Sequence, residues 1–183
     1  MADFNIYGVE DAPEASKPAL ESIKKRYGFV PNLLGGMAES NAALTSYIDL
    51  TKKLSESTFT PAEQQVLFLA ISYENKCAYC MAAHTAGGKR AKLEDEVIES
   101  LRAGSSLNDS KLSALADFAQ KMFNKRGWVD REDIDDFLGA GYTKSNIFDV
   151  ITALAAKTLS NYTNHILDTP LDDSISKFKW DKS

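Results

Sequence analysis

The sequence predicts an all-α protein, and three observations lead to that prediction. Apolar residues recur at helical spacing and almost nowhere alternate with a period of two over more than a few positions. Thr60-Pro61-Ala62-Glu63 combines a capping hydroxyl, a proline at the first helical position and a glutamate three residues after the cap. The chain has 183 residues, 44% of them apolar, with 10 glycines and 5 prolines. This composition is typical of a folded domain and excludes collagen-like, low-complexity and disordered proteins.

The N-terminal helices are expected between residues 13 and 57. Pro13 opens the first of them, and Gly28 ends it. Asn32 and Ser40 are suited to cap two more helices, because their side chains can accept hydrogen bonds from free backbone N–H groups.

The middle part of the chain, residues 60–104, is expected to form the central helices. The run VLFLAISY is expected to be a buried helix, although Val66 to Tyr73 taken alone would also suit a strand. Asn75 is expected to cap the next helix, which ends in the glycine-rich and cationic stretch 87–90. A short helix stopped by Gly104 follows.

The C-terminal half, residues 108–180, is expected to be helical as well. An amphipathic helix runs from Asp109 to Lys125, and Asp130 caps a shorter one. The turn GAGYT leads to a long helix that begins at Lys144. A last turn is expected to dock against the domain between residues 172 and 180.

A faint repeat connects two of these helices. The segment VLFLAISYENKCAYCMAAH, from Val66, aligns with VITALAAKTLSNYTNHILD, from Val150, so that Asn161 and Asn164 replace the two cysteines. We interpret this as a degenerate duplication of a helical unit. If the two helices pack together, Asn161, Asn164 and His165 approach the cysteine face; capping and hydrogen bonding near a helix end are the alternative account.

Charge and hydropathy limit the partners of this domain, which we expect to span residues 1–183. There are 21 basic and 26 acidic residues, for a net charge of -5, and the basic residues are scattered, so no nucleic-acid partner is expected. No apolar run approaches the roughly 20 residues that cross a bilayer. The first ten residues lack the pattern of a signal peptide, so we expect a cytoplasmic protein without membrane association. The sequence has no glycine-rich phosphate loop, and we expect no cofactor.

The candidate chemistry lies in CAYCMAAH, residues 77–84. On one helix Cys77 and Cys80 are three residues apart and His84 is four beyond Cys80, so the three share a face. A thiol reacts as thiolate, and a helix N-terminus or an imidazole can lower its pKa from about 8.5. Peroxide oxidises one thiolate to a sulfenic acid, a second thiol resolves it to a disulfide, and a dithiol donor resets the pair.

Two other interpretations of these residues are left open. Two cysteines and one histidine supply three zinc ligands, and His165 is then the fourth. Alternatively, both cysteines are small buried hydrophobic residues beside a hydrogen-bonded core histidine.

This motif resembles the alkylhydroperoxidase AhpD-like branch of the carboxymuconolactone decarboxylase superfamily. The similarity is best over EQQVLFLAISYENKCAYCMAAH and extends to GFVPNLLGGMAESNAAL, GYTKSNIFDVITALAAKTLSNYTNHI and the terminal LDD…W segment. Within this group the chain is most similar to peroxidase-related proteins of about its length. The resemblance implies an AhpD-like all-helical fold and a homo-oligomer, a trimer or hexamer, with a dimer as alternative. It also implies that Cys80 attacks peroxide, Cys77 resolves the intermediate and His84 belongs to a proton relay.

The chain departs from the family at one position of that relay. The family places a glutamate twelve residues before the first cysteine, where this sequence has Gln65. Glutamine does not take up a proton in the useful pH range, so the relay is weaker or ends elsewhere. Glu63 and Glu74 are the candidate replacements, although Glu63 also suits the capping box and Glu74 a solvated surface.

The sequence thus predicts an antioxidant enzyme, a thiol-dependent peroxidase that reduces small peroxides through Cys77 and Cys80. A thioredoxin-like or lipoyl-bearing protein is its expected reductant. A non-redox helical protein that binds zinc or a small ligand is one alternative. A decarboxylase-like lyase is another, but the decarboxylases act on a lactone without the cysteine pair, and the presence of both thiols argues against that chemistry.

Overall fold

A computed structural model of the chain describes residues 4–181. Over this range it contains helices and no strand, which confirms the predicted fold class. The helices are α1 (Lys17–Tyr27), α2 (Asn32–Met37), α3 (Asn41–Ser55), α4 (Pro61–Glu74), α5 (Ala78–Arg90), α6 (Asp95–Ala103), α7 (Ser110–Asn124), α8 (Arg131–Gly139), α9 (Lys144–Leu167) and a 3-10 helix (Asp173–Phe178). None of the helices in residues 4–181 combines the length and the apolar character that a membrane span requires.

Five of the ten helices within residues 4–181 begin next to a residue whose side chain caps them. The side chain of Thr60 accepts a hydrogen bond from the backbone N–H of Glu63, and the Glu63 carboxylate accepts one from that of Thr60. Ser40 caps α3 and Asp130 caps α8, as predicted. These contacts satisfy N–H groups that have no partner within their own helix.

Two N-terminal caps differ from the prediction. Ser16, and not Pro13, is the N-cap residue of α1, and Pro13 lies in the preceding turn. Asn32 is the first residue of α2, and its side-chain amide donates to the carbonyl of Pro170 at 3.0 Å. The side chain of Asn32, which the sequence predicted as a local helix cap, is instead engaged with a residue 138 positions away along the chain.

The prediction for Asn75 was wrong in a way that matters for the site. Asn75 ends α4, and its side-chain amide donates to the carbonyl of Ile71 at 3.0 Å. The chain then turns through Lys76, which has a positive φ of 53°. Cys77 is consequently the N-cap residue of α5, so the first thiol lies at a helix N-terminus.

The buried apolar residues form two clusters, and α4 is nearly buried all round. The first cluster joins α4 to α6, α7 and α9, and it includes Phe118, whose ring stacks on Phe137 with 4.3 Å between centroids. The second cluster gathers the N-terminal helices, α5 and the 3-10 helix, and it contains both cysteines. Ile175 and Trp180 of the C-terminal segment are buried, in line with the docking predicted there.

The helix α9 packs against α2, α3 and α4 and passes the cysteines. It is one uninterrupted helix, whereas the segment that aligns with it is broken at Asn75–Cys77. Its buried side includes Val150, Ala153, Lys157, Ser160 and Asn164, at intervals of three and four residues. That spacing directs all five side chains to the same side of the helix.

Candidate active site

The two thiols are free and almost fully enclosed. Cys77 is 1% exposed and Cys80 is 2% exposed. The side-chain amide of Asn164 donates to both sulfur atoms, at 3.6 Å to Cys77 and 3.2 Å to Cys80. One amide nitrogen that contacts both sulfurs holds the pair together and favours a negative charge on either.

The surroundings distinguish the two thiols electrostatically. Burial opposes ionisation of Cys80, but its hydrogen bond with Cys77 and the positive charge of Lys157 outweigh burial and hold its pKa below the ordinary thiol value. The same hydrogen bond, in which Cys77 is the donor, acts together with burial to raise the pKa of Cys77. These effects favour the thiolate on Cys80 over the thiolate on Cys77.

Sequence analysis missed Lys157, which is 1% exposed in the middle of α9. Its Nζ lies 5.7 Å from the centroid of the Phe68 ring. The signal was present in ALAAKTLSN, where a lysine falls on the apolar side of a helix, seven residues after Val150 and seven before Asn164. Lysine is almost never fully buried without a partner, so that position alone indicates a special role.

His84 lies beside the thiols in a fixed orientation. Its ring stacks on Phe68 with 4.6 Å between centroids, and its Nδ1 is 3.1 Å from Oε1 of Gln65. Burial, with the charges of Lys157 and Arg90, lowers its pKa well below the usual histidine value, so the imidazole is neutral. Because the Gln65 carbonyl only accepts, Nδ1 carries the proton and Nε2 is left as a proton acceptor.

A glycine makes room for the contact between Gln65 and His84. A Cβ built on Gly87 would collide with the side-chain amide of Gln65. Gln65 therefore lies against α5 where that helix has no side chain. The family's glutamate position is thus filled by an amide that orients the histidine and carries no charge.

We expect Gln65→Glu to raise the pKa of His84, because a carboxylate next to Nδ1 favours the imidazolium form. Proton NMR titration of the ring resonances measures this directly. The chain has two histidines, and the ring resonances of the exposed His165 serve as the internal control. An unchanged titration of His84 in the variant would show that Gln65 does not contact it in solution.

Glu63 and Glu74 lie away from the thiols. The carboxylate of Glu63 accepts hydrogen bonds from Thr60, from Tyr142 and from Lys111, the last with an N–O distance of 3.0 Å. Glu74 accepts one from the side chain of Asn124 at 3.1 Å. The structure thus brings Cys77, Cys80, His84 and Gln65 together and places these two glutamates elsewhere.

We expect Glu63→Gln to destabilise the fold by about 1 kcal/mol at neutral pH, since it weakens a capping box. Burial raises the pKa of Glu63, but its hydrogen bonds with Thr60 and Lys111 outweigh burial and lower it. A carboxyl group with a lowered pKa stabilises the fold above its unfolded pKa, and that stability is lost as the pH falls through the folded pKa. Urea denaturation of both proteins at several pH values should therefore show a difference that shrinks in acid. A changed thiol titration in this variant would instead connect Glu63 to the site.

His165 does not join the site. It is exposed and lies beside Tyr162, with ring centroids 6.3 Å apart. Asn161 is buried like Asn164, and neither polar atom of its side chain has a hydrogen-bond partner. Within residues 4–181, no three histidine, cysteine or acidic side chains are grouped as a metal site requires.

The sequence was compared with protein families and with curated proteins. The model of the carboxymuconolactone decarboxylase family matches residues 38–121, which include α3 to α6, most of α7 and both cysteines. This part of the chain is therefore similar to that family. No curated protein matches the sequence.

Solved structures of several relatives share the fold over nearly the whole chain. An AhpD-core, peroxidase-related protein from Ralstonia eutropha JMP134 has a TM-score of 0.82 and 20% identity, over 94% of this chain and 93% of that one. A peroxidase-related protein from Silicibacter sp. TM1040 has a TM-score of 0.79 and 21% identity, over 97% and 95%. A cysteine-to-alanine variant of the debrominase Bmp8, in complex with 2,3,4-tribromopyrrole, has a TM-score of 0.78 and 16% identity, over 97% and 96%. At these identities the likeness establishes the AhpD-like fold.

Proposed function

We propose that the protein is a thiol-dependent peroxidase of the AhpD-like type, with Cys80 as nucleophile and Cys77 as resolving thiol. One observation carries the proposal: two enclosed thiols share the Asn164 amide, and the positive charge of the buried Lys157 acts on Cys80. A pair that only filled space in the core would need neither the amide contact nor the charge.

The proposed reaction has two steps. The Cys80 thiolate attacks the terminal oxygen of the peroxide, the O–O bond breaks, and the departing alkoxide or hydroxide takes up a proton from solvent and leaves as alcohol or water. The neutral Nε2 of His84 accepts the proton of Cys77, the Cys77 sulfur attacks the sulfenic sulfur of Cys80, and the departing hydroxide takes that proton from His84 and leaves as water, which forms the disulfide. Two electrons pass from the thiols to the peroxide.

Burial of the thiols restricts both substrate and reductant. Sulfur atoms that are almost completely covered favour hydrogen peroxide and small organic peroxides over bulky lipid peroxides. A dithiol donor must attack one sulfur of the disulfide, so a thioredoxin-like or lipoyl-bearing protein gains access through local opening of the site. We propose that it acts in the cytoplasm, where such donors keep thiols reduced.

We also propose that the protein forms a homo-oligomer. The outer side of α9 exposes Phe148, Ile151, Tyr162 and Ile166. Their spacing follows the repeat by which two helices pack side by side. The molar mass in solution, from light scattering, determines the number of copies.

Steady-state peroxide consumption tests the proposed activity. We expect turnover of hydrogen peroxide and small alkyl peroxides with reduced lipoyl or thioredoxin-like donors, and slower turnover of bulky peroxides. A brominated pyrrole is the control substrate, because debromination by a thiol pair also transfers two electrons. Debromination without peroxide turnover would contradict the proposal, and so would peroxide turnover after both thiols are blocked.

A further inference from the structure

Lys157 is a buried lysine that pairs with no carboxylate among residues 4–181, and no oxygen or nitrogen atom there accepts a hydrogen bond from its Nζ. An unpaired ammonium that is buried in protein costs several kcal/mol in desolvation. The fold therefore needs a negative charge close to Lys157.

We infer that the Lys157 ammonium is the counter-ion of the Cys80 thiolate, and that this buried ion pair activates the nucleophile where Gln65 cannot accept a proton. The inference rests on the proposed function for its role in turnover. The ion pair between Lys157 and Cys80 is a property of the reduced protein and can be measured without any substrate.

Helix geometry places Lys157 towards the thiols. Ser160 and Asn164 lie three and seven residues further along α9, and Asn164 contacts both sulfurs. Side chains at these intervals project from the same side of a helix. The Phe68 ring, which stacks on His84, lies under the Lys157 ammonium at 5.7 Å and gives it a cation–π contact.

In the part of the chain that the structure describes, three further ionisable side chains near the thiols, those of Tyr47, Tyr79 and His84, are uncharged. On α3, burial raises the pKa of Tyr47, so its hydroxyl keeps its proton. On α5, burial lowers the pKa of His84 and raises that of Tyr79, whose hydroxyl donates to Asp172. The helix α4 contributes the uncharged Phe68 and Gln65.

The two thiols are thus the acids that can balance the charge of Lys157. The Asn164 amide is closer to Cys80, at 3.2 Å, than to Cys77, at 3.6 Å. The neighbouring Cys80 and burial also raise the pKa of Cys77. Both effects favour the anion on Cys80, in agreement with the effect of Lys157 on that thiol.

The test is a pH titration of thiolate ultraviolet absorbance in the fully reduced protein, without peroxide. We expect the wild type to titrate below the value of about 8.5 of a free cysteine. Lys157→Met should raise the midpoint by about one pH unit or more, a loss of roughly tenfold in thiolate between the two midpoints. Lys157→Arg should keep the low midpoint, because it keeps the charge.

Lys144→Met is the matched control, since it removes an exposed lysine from the first turn of the same helix and should leave the midpoint unchanged. The same titration of Cys77→Ser and Cys80→Ser assigns the low midpoint to one sulfur. An unchanged midpoint in Lys157→Met, or a low midpoint that persists in Cys80→Ser, would overturn the inference.

A stability measurement covers the case in which Lys157→Met disturbs the fold. Cys80→Ser leaves the ammonium without its anion, so we expect it to lower the melting temperature in wild type and much less in Lys157→Met. Equal losses in the two backgrounds would show that the groups are not paired. Neither the thiolate titration nor the melting temperature is measured in the presence of peroxide. A result that shows the ion pair in a protein without peroxide turnover would therefore overturn only the proposed function.

Discussion

Cys80→Ser is expected to lower peroxide consumption by on the order of a thousandfold or more, because it removes the nucleophile and with it the covalent route. The hydroxyl of serine is not ionised at neutral pH, and the contacts with Asn164 and Lys157 are not strong enough to ionise it. Steady-state peroxide consumption with an excess of dithiol donor measures the loss.

Cys77→Ser is the matched control, since it removes the other sulfur of the same pair. We expect it to react once with peroxide and to stop as the sulfenic acid of Cys80, which a dimedone-type reagent traps. If Cys77→Ser lost the first reaction and Cys80→Ser retained it, the two roles would be reversed.

Phe118→Ala is expected to destabilise the fold by about 3–5 kcal/mol, the range for removing a large aromatic side chain from a packed core. The ring of Phe118 is 2% exposed and stacks on Phe137, on the side of α4 where α7 packs. Urea denaturation at neutral pH measures the loss.

Phe148→Ala serves as the control, because the side chain of Phe148 is 68% exposed in the single chain. We expect a change within about 0.5 kcal/mol in the dissociated protein. Phe118 belongs to the first cluster and the cysteines to the second, so Phe118→Ala should leave the thiol titration unchanged in the folded protein. A loss below about 1 kcal/mol would mean that the core repacks around the missing ring.

The helices were predictable from the sequence because caps and apolar periodicity are local. Thr60, Ser40 and Asp130 cap helices as their residue types indicate. The errors arose where a side chain bonds elsewhere. Asn32 contacts Pro170, and Asn75 bonds back to Ile71, so that Cys77 and not Asn75 is the N-cap residue of α5.

The candidate site was predictable where its residues share one helix. Cys77, Cys80 and His84 follow one another at intervals of three and four residues over about two turns, so the sequence alone places them on one face. The contribution of α9 depends on how two distant helices pack. The faint repeat singled out Asn164 but not Lys157, which only its place on the apolar side of α9 indicated.

The most direct test of the central claim is a single-turnover experiment. Protein that has been reduced without oxygen receives one equivalent of hydrogen peroxide, and the intact mass and free thiols are measured before and after. The account predicts a loss of both thiols and a mass lower by two hydrogen atoms, with the bond mapped between Cys77 and Cys80. Two free thiols and an unchanged mass after peroxide is added would contradict it.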